Sequence, residues 1–267
     1  MPELPDVEVF RIYLDSHGLY KTIEDVEIRT GQVLENVEPE ELKATLKGKK
    51  FSSSHRHGKH LFVSLSEDGW LVFHFGMTGF FKYLKPCEEQ PAGHPRILFH
   101  YEDKSCLAYD CQRKLGNVTT IESRAEYISR KDLGPDALSE VDGDMFREIF
   151  SNSRAMVKST LMKQDKLAGI GNIYSDEILF QAGIYPRVKA SSLSEEALTL
   201  LYDNMKEVLK EAIDSRVDPD ALPSCYLLPN RSPGSPCPKC GESIEKIKVS
   251  GRSSYFCPNC QSDSPGG

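Results

Sequence analysis

Four cysteines near the carboxyl terminus constrain this chain more than any other feature. They form two Cys-x2-Cys pairs separated by sixteen residues: Cys237 and Cys240, then Cys257 and Cys260. Each pair bends the chain tightly, so the two pairs can place four thiolates tetrahedrally around one zinc ion. Residues 244–249 and 253–256 read as two strands between them. The spacing predicts a hairpin held by one structural Zn²⁺, with redox-active thiols as the alternative.

The other four cysteines are scattered: Cys87, Cys106, Cys111 and Cys225. The 267-residue chain has no run of the roughly 18 to 20 apolar residues that a membrane span needs, and its first residues do not resemble a signal peptide. We therefore expect a soluble cytoplasmic protein with no membrane partner. In that compartment the scattered cysteines are predicted to be reduced thiols.

The acidic net charge does not exclude nucleic acid as a partner. The chain has 40 acidic and 33 basic residues, a formal charge of −7. Eight acidic and three basic residues fall between 195 and 220, so this segment contributes −5. Residues 43–65 hold six Lys or Arg, three His and no acid. This basic segment can form a local phosphate-binding face, or simply a solvated charged loop.

The hydrophobic pattern changes from strand-like to helical along the chain, which predicts an α+β protein. Strands are predicted at 23–28, 60–65, 70–75, 80–84, 96–101 and 106–109. Helices are predicted at 7–14, 145–150, 157–162, 173–182 and 196–213. A segment rich in Pro, Ser and Asp, 214–236, reads as a loop, and the residues after Cys260 are expected to fray.

Two glycines precede one predicted helix. Gly169 and Gly171 lie just before Asn172, which reads as the N-cap of helix 173–182. Bare backbone N–H groups and the helix dipole at such a terminus can bind phosphate. The alternative is a helical hairpin with a flexible turn.

The amino terminus is a candidate nucleophile. Removal of Met1 before the small residue Pro2 would leave a secondary amine, and an α-amino group titrates near ~8, well below a lysine. Such an amine can attack a sugar carbon and form an iminium, which acts as an electron sink. Glu3 could supply or accept the protons.

Together these motifs resemble the formamidopyrimidine-DNA glycosylase and endonuclease VIII family of base-excision repair enzymes. The resemblance runs from end to end and rests on segments 1–8, 56–60, 74–79, 110–116, 133–138, 166–186 and the cysteine hairpin. It implies an N-terminal antiparallel β-sandwich with a leading helix, then a helix-two-turn-helix domain ending in the zinc ribbon. It also implies damaged double-stranded DNA as the partner.

The resemblance implies roles for individual residues. The catalytic residues would be Pro2 as the Schiff-base nucleophile, Glu3 as the acid, and Lys59 holding phosphates beside the lesion. The phosphate contacts would be Asn172, Arg252 and Lys158. The side chains that fill the gap left by the flipped nucleotide would be Met77, Arg113 and Leu115. Independently of the resemblance, the alternating His55, His57 and His60 of the basic segment fit a position near phosphates better than a metal site.

Three departures from the family pattern bear on this interpretation. Asp6 replaces the usual Glu, which shortens the side chain that supports the amino terminus. Leu115 replaces the usual Phe, so stacking on the orphan base should be weaker. Segment 214–236 is shorter than the covering loop expected for enzymes of oxidised guanine.

We therefore expect a monomeric glycosylase and abasic-site lyase that excises formamidopyrimidine-type purines and cleaves the strand by β,δ-elimination. The predicted domains are 1–130, 131–236, 237–261 and a flexible tail, 262–267. In a prokaryote the enzyme would be associated with the nucleoid. The alternatives are the same enzyme acting mainly on oxidised pyrimidines, and a non-catalytic zinc-ribbon DNA-binding protein.

Overall fold

The computed structural model describes residues 1–88 and 91–262. The chain divides into two compact units, Met1–Lys131 and Asp132–Gly267. Among the helices of the described residues, none has the length and apolar character that a membrane span requires. Most of the predicted tail, 263–267, lies outside the described residues.

The first unit is a β-sandwich with a leading helix, as the sequence predicted. Its strands are β1 (Ile23–Ile28), β2 (Phe51–His57), β3 (His60–Leu65), β4 (Trp70–His74), β5 (Gly79–Leu84), β6 (Pro95–Tyr101), β7 (Cys106–Cys111) and β8 (Asn117–Ile121). They form two antiparallel four-stranded sheets, in the orders β1-β6-β7-β5 and β2-β3-β4-β8. The helices are α1 (Leu4–His17), α2 (Pro39–Leu46) and α3 (Arg124–Arg130), and a 3-10 turn spans Gly31–Val33.

The core of this unit is built from alternate residues of the strands. On β6, Ile97 and Phe99 belong to the main apolar cluster, whereas Leu98 lies on the opposite face of the sheet. That alternation follows from the two-residue period of a strand. Helix α1 adds Val7 and Leu14 to the same cluster, which fixes the helix against the sandwich.

The second unit is helical and ends in a hairpin. Its helices are α4 (Gly143–Ser151), α5 (Val157–Leu161), α6 (Asn172–Gln181) and α7 (Glu195–Asp214). A short 3-10 turn at Ala190–Ser192 precedes α7, and two more follow it at Pro219–Ala221 and Leu228–Asn230. The antiparallel hairpin is β9 (Glu245–Val249) and β10 (Arg252–Phe256). Helix α7 begins where the Ser194 hydroxyl accepts the Ala197 N–H, a standard N-cap.

The structure corrects two expectations about the termini and the cysteines. Gln261 does not fray, because its buried amide donates to the Ile184 carbonyl and accepts from the Cys257 N–H, both at 2.9 Å. The Ser262 backbone also pairs with this segment. Cys87 and Cys106 are not free thiols, because they form a disulfide with Cα atoms 5.2 Å apart.

Candidate functional site

The start of α1 holds the predicted nucleophile and acid in a defined backbone. Pro2 is half-buried, and Glu3 is fully buried. The Glu3 N–H donates to the Asp6 carboxylate at 2.8 Å, while the Glu3 carboxylate accepts from the Asp6 backbone. This reciprocal capping box satisfies two N–H groups at the helix start. The shorter Asp6 side chain therefore still anchors the residue next to Pro2.

The Asp6 carboxyl is tuned by its surroundings. Its pKa is raised to about 6, mainly by burial and also by the nearby Glu3 charge, against the opposing effects of the Glu3 N–H and the terminal amine of Met1. A carboxyl with this pKa changes charge close to neutral pH. The hydrogen bond from the Glu3 N–H to the Asp6 carboxylate is therefore sensitive to pH.

A polar link connects α1 to the turn that carries Lys59. Arg56 on β2 lies 3.0 Å from the Glu8 carboxylate, and its guanidinium donates to the Gly58 carbonyl at 3.3 Å. Gly58 adopts a φ of +54° in the tight turn between β2 and β3. Such a φ favours glycine. Lys59 follows it, half-buried at the tip of the hairpin.

Two histidines next to this turn are neutral. The rings of His60 and His74 are 5.0 Å apart. The pKa of His60 is lowered to about 3, mainly by burial and also by His74 and by cations that include Lys59. Burial, followed by the Lys59 charge, also lowers the pKa of His74. Lys59 is thus a cation beside two uncharged rings.

The three predicted gap-filling residues are on two adjoining loops of the first unit. Met77 lies between β4 and β5, and Arg113 and Leu115 lie between β7 and β8. Leu115 is 53% exposed and Met77 is 38% exposed. The Arg113 N–H donates to the Thr78 hydroxyl at 3.0 Å, which joins the loops.

Gly76 allows the close approach of these loops. Its φ is +59°, and an added Cβ would collide with the Leu115 carbonyl carbon and the Gly116 nitrogen. Only glycine fits there without displacing the backbone. Exposed apolar side chains supported by this contact are suited to insertion between bases.

In the second unit, Lys158 is not placed to contact DNA, which corrects the sequence-based prediction. It is 1% exposed, and its ammonium lies 2.6 Å from the carboxylate of the fully buried Asp176. It also donates to the Ser253 carbonyl on β10 at 3.1 Å. The desolvated lysine therefore neutralises Asp176 and ties α5 to the hairpin.

Asp176 is the centre of a network that the sequence analysis missed. It accepts from Ser254 at 2.6 Å and from two nitrogens of Arg231 at 2.6 and 2.9 Å. The Arg231 guanidinium also lies 4.5 Å from the centre of the Tyr255 ring. The available signal was a pair of acids, Asp176 and Glu177, within the apolar α6.

Asn172 starts α6, but it is not the N-cap, because Gly171 occupies that position. Within the described part of the chain, the buried Asn172 Oδ1 has no hydrogen-bond partner. The Asn172 carbonyl accepts from Arg231 at 3.2 Å. The network of Asp176 thus holds the helix terminus where the sequence predicts a phosphate contact.

The four hairpin cysteines fit a zinc ion. Their sulfur atoms all lie within 4.8 Å of one another, with Cys237 and Cys260 at 3.8 Å and Cys240 and Cys257 at 3.5 Å. Thiolates at ~2.3 Å from a tetrahedral zinc would be about 3.8 Å apart. The site accommodates one structural Zn²⁺. Arg252 is exposed at the first position of β10, and its side chain touches the Met162 sulfur at 3.8 Å.

The connection between α7 and the hairpin is compact and anchored. Glu177 accepts the N–H groups of Leu227 and Leu228 at 3.1 and 2.8 Å. Burial raises the pKa of Glu177 to about 7 even though these donors favour its charged form. The segment also contains two 3-10 turns of three residues each.

Known proteins match this chain over nearly its whole length. Family models match in three places: the formamidopyrimidine-DNA glycosylase N-terminal domain at 1–118, the H2TH domain of the same glycosylase at 133–219, and a zinc finger found in FPG and IleRS at 234–262.

Individual relatives show the same similarity. The chain is 33% identical to the formamidopyrimidine-DNA glycosylase of Pelotomaculum thermopropionicum, over 98% of this chain and 99% of the relative. It is 35% identical to that of Geobacter metallireducens, over 98% and 100%. A crystal structure of the Lactococcus lactis glycosylase with Fapy-dG-containing DNA has a TM-score of 0.86 and 31% identity, covering 97% of this chain and 99% of that one.

Proposed function

The chain belongs to the formamidopyrimidine-DNA glycosylase family, and from that premise we propose that it excises ring-opened purines from damaged duplex DNA with its own amino terminus. The observation that carries this proposal is the start of α1, where the buried Glu3 stands next to Pro2 in a capping box. Removal of Met1 would put a terminal amine on the residue before Glu3, and the proposed chemistry needs such a nucleophile next to a general acid.

The proposed reaction begins when Pro2, freed of Met1, attacks C1′ of the flipped nucleotide. The new C–N bond forms as the bond from C1′ to the damaged base breaks, and the sugar opens to an iminium. Glu3 donates a proton to O4′ as the ring opens, and the proton that the Pro2 nitrogen loses leaves with the base. The iminium then accepts electrons as C2′ loses a proton, so the C3′–O bond breaks by β-elimination. A following δ-elimination breaks the C5′–O bond.

Three residues are proposed to bind phosphates. Lys59 does so in the first unit, at its hairpin tip beside neutral histidines. Asn172 and Arg252 do so in the second unit, at the start of α6 and of β10. A bound zinc ion stiffens the hairpin that presents Arg252, because ribbon folding is coupled to metal binding.

Met77, Arg113 and Leu115 are proposed to fill the gap that the flipped nucleotide leaves. Their support is the close contact of two loops at Gly76 and the exposure of two apolar side chains. Filling the gap offsets the stacking that is lost when a base leaves the helix.

We further propose that the enzyme acts as a monomer in the cytoplasm, at the nucleoid of a prokaryotic cell. The relatives named above are bacterial, which supports a prokaryotic setting. The second candidate is an enzyme whose main lesion is an oxidised pyrimidine. The short connection between α7 and the hairpin, held by Glu177, favours it, because a short loop over the flipped base offers few groups to bind a purine edge.

Single-turnover excision of formamidopyrimidine-guanine from a duplex tests the function. The wild type should release the base and nick the strand. Glu3→Gln should bind the duplex but excise at least 100-fold more slowly, because general acid catalysis contributes about 10²- to 10⁴-fold. Glu40→Gln, at an exposed carboxylate of α2, is the matched control and should behave as wild type. A wild-type protein that binds DNA but excises no lesion would establish the non-catalytic alternative.

A further inference from the structure

A second group of metal-binding side chains lies in the first unit, on the face of a sheet opposite to the core. It consists of Cys87, His100 and Cys106, whose ligand atoms all lie within 4.8 Å of one another. None of the three takes part in the proposed reaction or in the four-cysteine site.

The strand register brings these residues together. Cys106 on β7 stands opposite His100 on β6 and opposite Leu84 on β5, so the three side chains share one face. Cys87 follows β5 by three residues and is tied back by its N–H, which donates to the Lys104 carbonyl at 2.9 Å. The location of the group is therefore set by the sheet.

With Cys87 in the disulfide, His100 already lies where a metal-binding histidine could reach the same ion. Its Nδ1 lies 3.6 Å from the Cys87 sulfur, and a thiolate and an imidazole nitrogen on one tetrahedral zinc would be about 3.5 Å apart. Its other ring nitrogen, Nε2, lies 3.5 Å from the Glu27 carboxylate. A carboxylate at the distal nitrogen is the usual outer partner of a metal-bound histidine, because it orients the ring and raises its basicity.

The surroundings favour a soft cation and leave room for a fourth ligand. Leu84, Leu98 and Ala108 form the apolar floor with Cys106. Cys87 and His100 are partly exposed, so water can complete a tetrahedral set. Two thiolates and one imidazole are ligands that zinc prefers.

We propose that Cys87, His100 and Cys106 bind a second zinc ion when the two thiols are reduced, and that their disulfide is the oxidised, metal-free form of the same site. Hydrogen peroxide is the oxidant. The two thiolates give up two electrons and form the S–S bond, the peroxide takes these electrons with two protons and becomes two waters, and Zn²⁺ is released. Cysteine pairs that do this in a reducing compartment are redox-sensitive.

Zinc stoichiometry of the purified full-length protein tests this proposal without reference to DNA repair. After full reduction and equilibration with Zn²⁺, the wild type should hold two zinc ions per chain by elemental analysis. Cys87→Ser, His100→Ala and Cys106→Ser should each hold one. Cys225→Ser changes an exposed cysteine outside both groups and should hold two. Cys87→Ser and His100→Ala change partly exposed side chains, so they keep the test valid if Cys106→Ser fails to fold.

Two further readouts separate this site from the four-cysteine site. With Co²⁺ in place of zinc, the wild type should show more thiolate-to-metal charge-transfer absorption than His100→Ala. One equivalent of hydrogen peroxide should release one zinc ion from the wild type and none from His100→Ala. The proposal is overturned if the reduced wild type holds one zinc, if the three variants hold as much as the wild type, or if peroxide releases zinc equally from both proteins.

Discussion

The Arg56 guanidinium lies 3.0 Å from the Glu8 carboxylate. This ion pair joins α1, which begins after Glu3, to the β2–β3 hairpin, whose turn contains Lys59. The Arg56 side chain is only 5% exposed, so the pair is shielded from water. Because the same guanidinium donates to the Gly58 carbonyl, the pair also sets the turn that presents Lys59. One contact therefore relates the proposed acid to the proposed phosphate-binding lysine.

Loss of this pair should affect both stability and activity. Arg56→Ala leaves the Glu8 charge without this partner and releases the turn, so the free energy of unfolding should fall by about 3 kcal/mol. Excision should also slow. Urea unfolding and single-turnover rates measure the two effects. Lys43→Ala removes the exposed pair with Glu40, should cost less than about 1 kcal/mol, and serves as the control. Equal losses in the two variants would contradict the role of Arg56.

Glu177 should make the stability of the protein depend on pH. Its pKa is about 7 in the folded protein, against an ordinary value of 4.5 for a glutamate. Between these values the folded protein keeps a proton that the unfolded chain releases, so the contribution of Glu177 to stability is present below about 4.5 and is lost as pH rises to about 7.

The comparison of the wild type with Glu177→Gln isolates this effect. From pH 4.5 to 8, the wild type should lose up to about 3 kcal/mol relative to the variant. Denaturant unfolding at the two pH values gives the difference. A stability difference that does not change with pH would show that the carboxyl does not titrate in this range.

Met77 should matter for base flipping and not for phosphate binding. Met77→Ala should slow excision from a lesion duplex by roughly tenfold, about 1.4 kcal/mol in barrier, and should barely change cleavage of an abasic duplex. The salt dependence of binding should stay the same, whereas Lys59→Ala should make it shallower by about one unit of slope. Leu200→Ala, another exposed apolar residue, is the control. Equal slowing on both substrates would indicate a packing role.

The preferred lesion should follow from the short connection after α7. That segment is short and is anchored by Glu177, so we expect it to offer few groups to bind a flipped purine edge. Ring-opened purines are extruded at lower cost than 8-oxoguanine, which stacks almost normally. We expect formamidopyrimidine-guanine to be excised faster than 8-oxoguanine, with cytosine tolerated opposite. An 8-oxoguanine rate ten times the formamidopyrimidine rate on matched duplexes would contradict this expectation.

The sequence predicted the elements whose apolar residues follow a clear period. Strands β1 and β3 begin and end where expected, and α6 and α7 agree to within one residue at each end. Strand β2 was missed because Phe51–His57 is mostly polar. It is held by contacts with α1 that no local sequence pattern reveals. One example is the Ser54 hydroxyl, which donates to the Asp15 carboxylate at 2.5 Å.

Contacts between residues far apart in the sequence also explain why the predictions for Lys158 and for two cysteines were wrong. Lys158 reads as a surface cation until Asp176, eighteen residues later, is brought against it inside the second unit. Cys87 and Cys106 are nineteen residues apart and become partners through the pairing of β5 with β7. Pro2, Glu3 and Lys59 were identified from motifs that resemble a family, and their catalytic roles stay predictions.

Borohydride trapping on a damaged duplex tests the central claim, a Schiff base at Pro2, most directly. Reduction during turnover should convert the iminium to a stable adduct of protein and DNA, and peptide mass mapping should place the adduct on residue 2 of a chain that lacks Met1. A variant with an uncleavable extension before Pro2 should bind the duplex but give no adduct. An adduct of equal yield from the extended variant, or one that maps to a lysine such as Lys59, would contradict the account.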